Sequence, residues 1–96
     1  LDRKRYEVFI ERFAEKQIRR VPPHIRVAFF AWVESVRIEG LEQVRKRSGY
    51  HDEPLHGKRS GQRSARLSRA YRVIYRVQEG FEISIVAVME VNKHDY

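Results

Sequence analysis

Tyr6, Val8 and Ile10 alternate with Glu7 and Phe9, a period of two that predicts a strand with one face turned inward. At Glu11 the period lengthens. Between Glu11 and Arg20, Phe13, Gln17, Ile18 and the following Val21 fall near one face of a helix, while Glu11, Arg12, Glu15, Lys16 and Arg19 face water. Pro22 and Pro23 end that helix and start another, because proline in a first helical turn has no intrahelical N–H bond to lose. Ile25, Phe29, Trp32 and Val36 then recur at i, i+4, i+7 and i+11, with Phe30 and Val33 widening the stripe, and Gly40 supplies the stop. Aromatic residues at this spacing are expected in a core rather than on a base-stacking platform.

Leu41 to Arg47 reads as a short helical or irregular stretch, and Ser48 to Gly57 as a polar, turn-forming loop suited to function. Ser64, Arg66 and Ser68 alternate with Ala65 and Leu67, and Tyr71, Val73 and Tyr75 with Arg72, Ile74 and Arg76. Phe81 to Val91 is mostly apolar and β-branched. Short gaps at Arg69-Ala70 and Gln78-Glu79-Gly80 suit hairpins, so the three strands form an antiparallel meander. The order β-α-α-β-β-β predicts a single α+β domain over 1–96, with two helices on one side of a mostly antiparallel four-stranded sheet. The other face is left for polar side chains.

Charge adds a direction to this frame. The 96 residues carry a formal net charge of +7, which favours a polyanionic partner, nucleic acid first. From Val44 to Arg76 ten basic residues stand against two acidic ones, an excess of eight positive charges, whereas the rest of the chain is close to neutral. An excess confined to one third of the chain marks a site. The absence of cysteine excludes disulfides, thiolate metal sites and thiol nucleophiles. His51 and His56 stand four residues apart, but without cysteine or a third ligand they do not make a metal site, and no cofactor is expected. The longest apolar run, Val27 to Val33, is far below the ~18 residues of a membrane span, so the reading is a cytosolic protein that enters no membrane.

The candidate chemistry lies in the basic third and at the C-terminus. With Leu67 and Val73 facing the core, one register sets Arg66 and Arg72 on the same exposed surface, where two guanidiniums call for an anion, phosphate above all. Glu53 is a carboxylate among cations, able to accept a proton near neutral pH. His94 and Tyr96 follow the last strand, where a His and a Tyr suit proton transfer and base stacking. RNA cleavage by internal attack requires a base for the 2′-OH, cations for the phosphorane, an acid for the leaving oxygen and an aromatic group for a base. Glu53, Arg66, Arg72, His94 and Tyr96 supply one candidate for each role, with Arg45, Lys46, Arg47, His56, Lys58, Arg59, Arg63 and Arg69 as the surrounding RNA-binding surface.

In this order, Glu53-Pro54-Leu55-His56-Gly57, Gly61-Gln62-Arg63-Ser64-Ala65-Arg66-Leu67, Tyr71-Arg72-Val73-Ile74-Tyr75 and His94-Asp95-Tyr96 resemble toxins of the RelE/ParE superfamily, within it the mRNA-cleaving YoeB and RelE group. The resemblance implies Glu53 as base, Arg66 and Arg72 on the phosphate, and His94 and Tyr96 as acid and orienting group. It also implies mRNA cleavage in the ribosomal A site without a metal, neutralisation by a cognate antitoxin, and a toxin–antitoxin hetero-oligomer that binds operator DNA. Two departures stand out. His56 occupies the position where a Lys usually follows the Glu-Pro-Leu turn, and Asp95 separates a His and a Tyr that adjoin in YoeB. Two other outcomes share the fold: a ParE-like binder that poisons gyrase, and a relative that keeps antitoxin or operator binding without activity.

Overall fold

The computed structural model describes residues 4–93. Strand β1 (Arg5–Ile10) leads into helices α1 (Arg12–Arg20), α2 (Pro23–Glu39) and α3 (Leu41–Arg45). After a 3-10 turn at Ser48–Tyr50 come β2 (Glu53–Pro54), a second such turn at Gly57–Arg59, and the strands β3 (Gln62–Arg66), β4 (Tyr71–Gln78) and β5 (Ile83–Lys93). The sheet order is β1-β5-β4-β3-β2. The β3-β4-β5 meander is antiparallel as expected, and β1 joins it in parallel beside β5. The expected four strands gain a fifth, because Glu53 and Pro54 pair with Ser64 and Arg63 at the sheet edge instead of lying in a free loop.

The helices bury one stripe each on one sheet face. Ile25, Phe29, Trp32 and Val36 of α2 are fully buried, as their spacing predicts. They meet Ala65, Val73, Tyr75, Val86 and Val88 from the sheet, with Trp32 against Tyr75 at a ring separation of 5.3 Å. On α1 the buried pair is Ala14 and Ile18, whereas Phe13 is 60% exposed. The expected stripe is thus rotated by one residue: the small Ala14 lets the helix approach the sheet, and Gln17 reaches across it to accept a hydrogen bond from the Val91 amide at 2.7 Å.

The β4–β5 register shifts at Ile74/Tyr75, where Ile74 faces Glu90 and Tyr75 faces Val88, so Met89 is the additional residue. A bulge reverses the inward–outward alternation. Val86 and Val88 before it and Val91 after it therefore all lie in the core, while Glu90 and Asn92 turn to the opposite, open face.

Gly40 joins α2 to α3 with φ 90° and ψ 146°, a backbone region nearly closed to residues with a Cβ. A Cβ there would rest in ordinary contact with the Tyr6 ring, 3.6 Å away, so the cost of substitution is conformational rather than steric. Gly40→Ala is expected to lower the unfolding free energy by about 1–3 kcal/mol, measurable as a fall in the urea midpoint with an unchanged denaturant slope.

Candidate phosphate-binding cleft

Cross-strand partners in a sheet project to the same face, and this fixes the site. Arg66 and Arg72 are direct partners across β3 and β4, and Asn92 of β5 completes the row. One step along, Glu53, Ser64, Ile74 and Glu90 form a second row. The open face thereby assembles a cleft lined by His51, Glu53, Ser64, Arg66, Ser68, Tyr71 and Arg72. Both arginines are half-buried and Glu53 is exposed at the rim. The Nε of Arg72 is buried with no hydrogen-bond partner among the described residues, as is the Oδ1 of its neighbour Asn92.

Ser68 builds the cleft's end wall. Its Oγ accepts hydrogen bonds from the backbone N–H groups of Ala70 and Tyr71, both at 3.2 Å, closing the turn between β3 and β4. Tyr71 in turn pairs with Lys93, the last described residue. His94 and Tyr96 lie outside the described residues.

The loop carrying His51 and Glu53 is anchored between them by Asp52. Its side chain is only 1% exposed and accepts from Arg63 Nε at 2.6 Å and from the Tyr75 hydroxyl. Burial first, then the Asp52 hydrogen bond and charge, push the Tyr75 phenol well above its ordinary pKa of 10.0. For Arg63, burial opposes the charge, but the hydrogen bond and charge of Asp52 outweigh it and raise the pKa. His51 follows the 3-10 turn in the left-handed region, with φ 43° and ψ 46°. That turn of the backbone sets His51 at the cleft and Asp52 toward Tyr75 on the helix-facing side.

The basic residues expected to form one RNA- or ribosome-binding surface are divided. Arg45, Lys46 and Arg63 line a separate hollow with Glu42, and Arg63 shares the face of the core residue Tyr75, away from Arg66 and Arg72. Arg63 is engaged by Asp52, Arg47 by Glu39 and Ser35, and Arg59 by Glu90 and Gln62. These three carry structural ion pairs. His56, Lys58 and Arg69 are exposed on the connections flanking β3.

His51 and Tyr71 join the cleft without having been singled out for it. For His51 no periodic signal existed, because a left-handed backbone turn and not extended chain brings it to the cleft. Tyr71 was read only as a strand residue, and its place in the wall depends on the length of the β3–β4 turn.

No family model and no curated protein matches the chain. Several solved structures do. A YoeB/ParE toxin from Agrobacterium tumefaciens superposes with a TM-score of 0.72 at 15% identity, covering 93% of this chain and 99% of that one. A chain of the RelBE2 toxin–antitoxin complex from Mycobacterium tuberculosis gives 0.68 at 22% identity, covering 94% and 99%. A chain of the archaeal RelE–RelB complex from Pyrococcus horikoshii gives 0.66 at 22%, covering 92% and 93%. The chain has the RelE-like fold. Within that α+β fold, no helix of the described residues is long and apolar enough to cross a membrane.

Removing the Tyr75 hydroxyl leaves a buried carboxylate oxygen without its donor, so Tyr75→Phe is expected to cost about 1–3 kcal/mol of stability. Because the folded phenol holds its proton more tightly than the unfolded one, its contribution is complete below pH 10.0 and is lost as the pH rises above that value. Urea midpoints should therefore fall more steeply in the wild type than in Tyr75→Phe on going from pH 9 to about pH 11.

Proposed function

We propose that this chain is the toxin of a type II toxin–antitoxin system and an endoribonuclease of the YoeB and RelE kind, cutting mRNA on the ribosome without a metal. One observation carries the reading: Arg66 and Arg72 are cross-strand partners and line one open cleft together with Glu53. A phosphate bound in the cleft would accept from both guanidinium groups and offset the repulsion between the two cations.

Glu53 takes the proton of the 2′-hydroxyl, and the freed oxygen attacks the adjoining phosphorus. The phosphorane gathers negative charge on its equatorial oxygens, where Arg66 and Arg72 stabilise it. The bond to the 5′-oxygen then breaks, and that oxygen leaves with a proton from the acid, leaving a 2′,3′-cyclic phosphate. His94 and Tyr96 are assigned as acid and orienting group, and their order in the chain supports this: they follow Lys93, whose partner Tyr71 is part of the cleft wall.

The same reading assigns the protein to the cytoplasm, with a cognate antitoxin as partner and ribosomal RNA as the docking surface. Phe13 of α1 and Val27 and Phe30 of α2 are exposed on the helical side, apolar area suited to an amphipathic antitoxin segment. Toxin–antitoxin complexes recur among the structures that share the fold, including the YoeB–YefM complex from Staphylococcus aureus.

Expression without the antitoxin should arrest growth, with primer extension revealing cuts in translated mRNA at codon positions; intact mRNA beside inhibited gyrase would favour a ParE-like binder instead. Arg72→Ala should slow single-turnover cleavage by roughly 10²-fold or more, because its phosphate contact strengthens as the phosphorane forms, while ribosome affinity, set by many contacts elsewhere, changes little. Arg45→Ala, in the separate hollow of the helical side, should weaken affinity only, and lower salt should restore it. Equal and salt-rescued losses in both variants would remove Arg72 from the chemistry.

A further inference from the structure

A second groove shares Arg66 with the cleft and is lined by Arg47, Gly49, Tyr50, Arg66 and Leu67. Its walls differ in character. Tyr50 and Leu67 are half-buried, packed on one side against the core and bordering the groove on the other. Gly49 contributes no side chain, and a Cβ added there would find nothing within 4 Å. Arg47 is fixed at one rim by Ser35 Oγ at 3.4 Å and by Glu39. The Glu39 hydrogen bond, against a smaller effect of burial, raises its pKa, and the neighbouring Tyr50 adds to this. The lining thus combines an aromatic and an aliphatic side chain, a glycine with open space beside it, and two arginines.

Such a slot does not suit a phosphate, for which the apolar walls offer nothing. It suits a flat ring. Bases stack on aromatic faces and on guanidinium planes whatever their identity, and in a nucleotide the base stands next to its phosphate. Arg66, common to both hollows, faces the two parts from one position.

We propose that this groove seats the nucleobase adjoining the phosphate held by Arg66 and Arg72. The inference rests on the reading of the cleft as an RNA phosphate site, and adds to it a register: stacking beside Tyr50 selects which phosphate along the strand reaches the arginine pair. Because stacking tolerates every base, the groove positions the strand without choosing its sequence.

The test uses the full chain and a short oligoribonucleotide made uncleavable by a single 2′-deoxy residue at the cleavage position, either intact or with one abasic position on one or other side of that phosphate. Binding is followed by fluorescence anisotropy at low salt. One of the two abasic strands should bind the wild type about tenfold more weakly than the intact strand. Gly49→Leu fills the groove from a position with open space, so its melting temperature should be little changed. It should bind the intact strand as weakly as the abasic one, while Arg72→Ala weakens every strand alike. Equal binding of intact and abasic strands, still sensitive to Arg72→Ala, overturns the base groove and leaves the phosphate cleft standing. Binding that responds to neither overturns both.

Discussion

The buried carboxylate of Asp52 is the constraint on which the cleft depends. An anion removed from water must be met by donors, and here the two donors come from neighbouring strands, Arg63 on β3 and Tyr75 on β4, which are direct cross-strand partners. Tyr75 in turn packs against Trp32, so the clamp connects helix α2, the centre of the sheet and the loop before β2. With Asp52 fixed toward the helical side, the chain has little freedom at its neighbours. His51 takes a left-handed turn and Glu53 pairs with Ser64, which sets both at the open face. His51 and Glu53 are therefore held at the cleft by the ion pair of Asp52, the residue between them in the chain.

The sheet then sorts the charge. Alternation along β3 assigns Arg63 to the core side and Arg66 to the open side, so two arginines three residues apart have different roles. Arg63 closes an ion pair and Arg66 lines the cleft. The bulge at Met89 performs the matching operation on β5: it turns Glu90 and Asn92 to the open face, where Glu90 engages Arg59 and receives a hydrogen bond from Asn92 Nδ2 at 2.6 Å. That polar group borders the Arg72 row and encloses Ile74, which is fully buried although it points away from the main core. The open face is thus a firm polar floor, suited to holding two like charges in place for an anion.

Much of this was legible along the chain. Trp32 and its companions on α2 and the common face of Arg66 and Arg72 follow from periodicity, because helix and strand repeats report which side chains share a face. Phe13 was misassigned because its stripe competes with Ala14 and Ile18, and apolar size alone does not reveal how closely a helix approaches a sheet. β2 was read as loop, since two residues carry no alternation and the pairing is decided by Ser64 and Arg63 downstream. The ion pairs were the least legible. Arg59 and Glu90 are 31 positions apart, and only the folded sheet brings them together, so counting charge in the basic third overstated the free cations.

On the proposed function, the strand to be cut meets the open face through the Arg66–Arg72 row, while the basic hollow of the helical side serves only docking to the ribosome. Amide chemical shifts of isotopically labelled protein, followed during titration with an uncleavable trinucleotide, test it most directly. Saturable changes are expected to concentrate at His51, Glu53, Arg66, Tyr71 and Arg72, with Arg45 and Lys46 nearly unmoved. Changes centred on Glu42, Arg45 and Lys46, with the cleft residues silent, would contradict it.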